Sequence, residues 1–259
     1  MINKKESFLY RKAQISVFII LAILIAIVLI VFFVNRGGLT SIIGGESPIS
    51  QIEKCMQDNV KEGLGILSSQ GGDLEPKNYY LYQNDKVAYL CYTEEYYKPC
   101  VMQKPLLKQS IEDELKNYLE PTMNRCLESV KSSFERKGYS LTYKNPEITV
   151  QIIPENIVIN SNVQLTVSKE NTESYQNIKT SISSSMYGFI MTSSSISNWE
   201  ARYGDSETLA YMLYYPSLKV EKKIRSDGSR IYILTDRNSL EQFKFAIRSM
   251  AFPSGITGN

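Results

Sequence analysis

Three regimes of hydrophobic patterning follow one another along the chain. Ile15 to Val34 is an apolar run in which 17 of 20 residues are Ile, Leu, Val or Phe, interrupted only by Ser16, Ala22 and Ala26. A helix of that length spans about 30 Å, the thickness of a bilayer hydrocarbon core, so the run predicts a transmembrane helix over 15–34. Residues 35–48 hold Gly37, Gly38, Gly44 and Gly45 and read as a flexible tether, since each glycine costs about 1 kcal/mol in a helix. Ser47-Pro48 then opens a helical pattern with apolar residues at Ile49, Ile52, Met56, Val60, Leu64 and Leu67, stopped by Gly71-Gly72. A second helical stretch over 109–137 carries Ile111, Leu115, Leu119, Met123, Leu127, Val130 and Phe134, with Pro121 expected to kink or split it.

From residue 139 the period falls to two. Ile148, Val150 and Ile152 alternate with polar residues, as do Val163, Leu165 and Val167, and then Ile178 and Ile182. Helical patterns near 186–203 and 206–214 precede a hairpin in which Leu218, Val220 and Ile224 meet Arg230 to Thr235 across Ser226-Asp227-Gly228-Ser229. A last strand is expected over 241–250. These elements predict an α+β fold: an N-terminal transmembrane helix, then an extracytoplasmic head of two or three helices packed on antiparallel sheet. The expected divisions are a cytoplasmic basic stub (1–14), the span (15–34), the tether (35–48), a helical disulfide-bonded subdomain with a tyrosine-rich insert (49–138) and a β-rich subdomain (139–259).

Lys4, Lys5, Arg11 and Lys12 precede the apolar run and only Arg36 closely follows it, so the positive-inside rule puts the N-terminus in the cytoplasm and the bulk of the chain outside. With Lys+Arg 29 against Asp+Glu 27, the near-neutral charge predicts no nucleic-acid partner. The chain has no histidine, which excludes Ser-His-Asp and Cys-His nucleophiles and histidine metal sites.

The segment Arg11-Lys12-Ala13-Gln14-Ile15-Ser16 ahead of the apolar run resembles the class III, prepilin-type signals of archaeal surface proteins. The resemblance implies cleavage by a membrane peptidase after Ala13, leaving Gln14 as the new N-terminus. Phe18 stands where a pilin typically carries glutamate. More loosely, Cys55 opening a helix that ends near Gly71-Gly72, and the strand Phe243-Lys244-Phe245-Ala246-Ile247-Arg248, resemble single-pass surface proteins of small-genome archaea, a likeness that implies no activity.

Four cysteines, Cys55, Cys91, Cys100 and Cys126, all follow the apolar run, and an even count in an exported segment reads as disulfides. Of three connectivities, Cys91–Cys100 closing a short loop and Cys55–Cys126 joining two helices are favoured; four free buried thiols are the alternative. Seven tyrosines, Tyr79, Tyr80, Tyr82, Tyr89, Tyr92, Tyr96 and Tyr97, form a candidate surface for stacking on sugars or meeting a protein. The competing reading is a strand pair that packs those rings on the helices. Serines crowd 181–197 without a base to activate them, and the pairs Glu94-Glu95 and Glu112-Asp113-Glu114 read as solvated acids. No catalytic, cofactor-binding or metal-binding residue is nominated, and no cofactor is expected.

The resulting expectation is a single-pass protein of the cell membrane and a structural or interaction module of the cell envelope, not an enzyme. Its expected partners are the lipid bilayer and other envelope proteins or surface polysaccharide. The alternatives are a pilin-like filament subunit processed after Ala13 and, third, a tethered hydrolase using Asp and Glu.

Overall fold

The computed structural model describes residues 21–29 and 47–251, and the chain divides into two units at Ser47/Pro48. In the first unit residues 21–29 are helical and exposed throughout. Among the described residues no helix is long and apolar enough to cross a membrane. This corrects the expected transmembrane helix over 15–34 and, with it, the single-pass membrane location and the extracytoplasmic head. The stub, most of the tether, and Ala13 and Gln14 lie outside the described residues.

The second unit is α+β. Helix α1 (Pro48–Ser69) starts with proline at its first position, where the missing N–H is no loss, and buries Ile52, Met56, Val60, Leu64 and Leu67 on one stripe. It ends where Gly72 donates its N–H to the Leu67 carbonyl, with φ of +71° and +84° at Gly71 and Gly72. Helix α2 (Leu107–Arg136) runs through Pro121 without a break. Its apolar face is buried on both sides of the proline, from Ile111 to Phe134. The Thr122 hydroxyl donates to the Leu119 carbonyl at 2.8 Å, supplying a bond inside the turn that the proline weakens. Helix α3 spans Met186–Tyr203, and the short α4 spans Thr208–Tyr214.

Among the described residues, ten strands form two sheets. The first contains β1 (Tyr79–Tyr82), β2 (Asp85–Tyr92), β3 (Val101–Met102), β8 (Leu218–Ile224), β9 (Arg230–Asp236) and β10 (Gln242–Arg248). Its order is β1-β2-β10-β9-β8, with β3 also on β2. All its pairs are antiparallel except β2 with β10, which run parallel, so the sheet is mixed rather than the expected antiparallel one. The remaining strands are β4 (Ser140–Tyr143), β5 (Glu147–Ile153), β6 (Asn156–Ser168) and β7 (Thr172–Ser183). In this second, antiparallel sheet β6 pairs with β4, β5 and β7.

One hydrophobic core joins the helices to both sheets, from Ile52 and Leu115 to Ile157, Phe189 and Phe245. The first sheet thus takes β1–β3 from the 49–138 stretch and β8–β10 from the 139–259 stretch. Two disulfides fasten the core: Cys55–Cys126 ties α1 to α2, and Cys91–Cys100 ties β2 to the segment just before β3.

Candidate functional site

The tyrosine-rich insert forms β1 and β2, and a bulge in β2 decides where its rings point. Ala246 pairs with Tyr89 but Ile247 pairs with Cys91, leaving Leu90 as an extra residue. Leu90 and Cys91 therefore both enter the main core, while Tyr89 and Tyr92, three residues apart, share the opposite face of the sheet. There they join a second, smaller cluster of Val87, Ile231, Ile233 and Ala246, against which Tyr80 and Tyr82 also pack. The Tyr89 and Tyr92 ring centroids are 4.7 Å apart. These four tyrosines thus pack on a sheet face rather than on the helices. Tyr79, Tyr96 and Tyr97 are exposed and belong to neither core cluster.

The turn after β8 closes over this face. Asp227 accepts bonds from the Ser229 N–H at 3.0 Å and the Ser229 hydroxyl at 2.9 Å, and the hydroxyls of Ser229 and Tyr89 are 2.7 Å apart. Burial raises the Tyr89 phenol above its ordinary pKa, so the ring stays neutral. The same turn sends Arg225, from beside one edge strand, to β1 at the other edge of the sheet. Its guanidinium carbon lies 4.8 Å from the Tyr82 centroid and 6.0 Å from that of Tyr80. Arg248 lies 5.9 Å from the Tyr92 centroid and donates to the carbonyls of Asp227 at 3.0 Å and Thr93 at 2.6 Å.

Among the described residues neither Arg225 nor Arg248 forms an ion pair, and the buried Nε of Arg225 has no hydrogen-bond partner. The site is thus a ring-lined face with two guanidinium groups laid over tyrosines, their donors directed at neutral carbonyls or at nothing, beside the carboxylates of Asp227 and of Glu94, which accepts the Tyr92 hydroxyl at 3.2 Å. Chemically it can accept an anionic group beside a flat apolar surface.

The other candidates serve the fold. Cys55, Cys126, Cys91 and Cys100 are all in disulfides. Glu112 accepts the Ile152 N–H of β5 at 2.7 Å, satisfying a donor at the sheet's edge, and Glu114 accepts the Leu74 N–H at 3.2 Å. Glu94 and Glu95 are exposed. Ser193 and Ser197 are fully buried in α3, where small side chains allow close packing. Among the described residues no group of three or more Cys, Asp or Glu could hold a metal ion.

A buried polar cluster was not anticipated from the sequence. Glu200 of α3 is 0% exposed, takes a 2.7 Å bond from Arg230 and a short one from the Tyr232 hydroxyl. Burial pushes its carboxyl above the ordinary glutamate range against the pull of Tyr232 and Arg230. Beside it, Lys222 binds Asp205 at 2.6 Å; burial would raise the Asp205 pKa, but that bond and the lysine charge outweigh it and hold the group low. The signal was available: Glu200 continues the buried stripe Phe189, Ser193, Ile196 at helical spacing. Comparison with family models, curated proteins and solved structures finds no match.

Proposed function

We propose that the protein is a disulfide-braced binding module that recognises an acidic polysaccharide on the tyrosine–arginine face of its first sheet. The observation that carries this reading is Arg225, stacked on Tyr80 and Tyr82 without a carboxylate partner. Tyrosine faces present flat apolar area to the C–H faces of a sugar ring at low entropic cost, while a guanidinium pairs with a uronate carboxylate. Arg248 extends the positive charge along the same face. The two disulfides support the arrangement by holding β2 and α1 in place, as expected for a chain that works in oxidising surroundings.

The test is titration calorimetry with polygalacturonate, and with neutral dextran as comparison. Binding is expected for the acidic polymer alone and should weaken as salt is raised. Arg225→Ala removes one charge-assisted contact, worth about 1.5–3 kcal/mol, or roughly a ten- to hundredfold loss of affinity. Equal binding of dextran, or an Arg225→Ala variant that binds like the parent, refutes the reading.

A further inference from the structure

The second unit has a surface patch, apart from the tyrosine–arginine face, whose composition suits an interface. Residues 208–217 carry no charged side chain, although α4 within them lies at the surface. None of its residues is buried; Leu209 is 55%, Leu213 74% and the last residue, Tyr214, 79% exposed. A seven-residue helix gains most of its stability from packing an apolar face, and an ordinary solvent-facing helix carries charges there. Here Tyr211 and Met212 pack against the core, while Leu209, Leu213 and Tyr214 face outward.

Helix α3 continues the patch. Met191, Ser195, Trp199 and Tyr203 fall at four-residue spacing on one stripe, and α4 is held to that stripe by the Ser195 and Tyr211 hydroxyls, 2.8 Å apart. Trp199 stacks on Tyr203 with centroids 4.8 Å apart, and both remain exposed, as does Met191. Met191 also borders a 270 Å³ pocket together with Tyr215.

We infer that this patch is the contact between two copies of the chain. Seven large side chains, each exposing on the order of 100 Å², present roughly 700 Å², close to the ~800 Å² that each partner contributes to a standard interface. Absence of charge at the centre is the composition of homodimer interfaces, which are depleted of charged residues. The geometry also suits a twofold axis. Leu209 and Leu213 lie one turn apart, so two antiparallel α4 helices set Leu209 of each copy against Leu213 of the other.

Sedimentation velocity of the full chain across the micromolar range tests this. The parent is expected to sediment as a concentration-dependent dimer, and Leu213→Glu as a monomer, with dimer affinity reduced at least about thirtyfold. Leu213 is largely exposed, so the variant keeps its fold, which far-UV circular dichroism verifies. The apolar residues 21–29 are exposed too, so the difference between Leu213→Glu and the parent distinguishes association through this patch from association through that helix. A monomeric parent overturns the inference, and so does self-association that Leu213→Glu leaves unchanged.

Discussion

Replacing Cys55 and Cys126 together by alanine should cost the fold more than replacing Cys91 and Cys100, because the first bond spans 71 residues and the second nine. In the chain-entropy relation the penalty grows with the logarithm of loop length: about 4.4 kcal/mol for the long loop and about 2.6 kcal/mol for the short one at 25 °C. One kcal/mol moves Tm by about 2–4 °C in a domain of this size, so the expected falls are about 9–18 °C and about 5–10 °C. The native helices should stay paired without the bond, since α1 and α2 are held by their buried stripes from Ile52 to Leu67 and from Ile111 to Phe134. The loss therefore falls chiefly on the unfolded state, which becomes larger, and the urea m-value should rise with it. Urea titration followed by far-UV circular dichroism reads both quantities. Equal costs for the two pairs, or a larger cost for Cys91 and Cys100, refute the loop argument.

Two further outcomes follow from the cap of α3 and from its buried acid. Gly204→Ala should destabilise by at least about 2 kcal/mol, because φ is +74° there and a Cβ would stand 1.8 Å from the Ala251 carbonyl oxygen; an unchanged Tm refutes this. Glu200 has a folded-state pKa raised by burial. The stability it contributes is complete below its unfolded pKa and is lost as pH rises through the folded value. Glu200→Gln should therefore flatten the decline of stability above the ordinary glutamate range, and a profile parallel to the parent's counts against it.

Local signals in the sequence located the helices well. Pro48 and Gly71-Gly72 bound α1, the helical pattern over 186–203 coincides with α3, and Asp227-Gly228 marks the β8–β9 turn. These features are set by residues within a few positions of each other. The apolar run over 15–34 met a length criterion, yet among the described residues no helix is long and apolar enough to cross a membrane. Non-local features were harder to read. Nothing near Tyr89 signals that β10 lies parallel to β2, or that a bulge at Leu90 turns Tyr89 and Tyr92 to one face. Arg225 reads as an ordinary charged residue after a strand, and nothing local signals that it lies over Tyr80 and Tyr82. Side-chain periodicity reports which face is apolar but not which strand lies alongside.

The parallel seam between β2 and β10 has a consequence for biogenesis. Its two halves are among the first and last strands to be synthesised, so a nascent polypeptide leaving the ribosome carries β2 with one flank bare until residues 242–248 emerge. Closing so large a loop is slow, and an open strand flank invites pairing with another molecule. Truncation before Gln242 thus leaves the first sheet divided, with β1 and β2 on one side of the gap and β8 and β9 on the other.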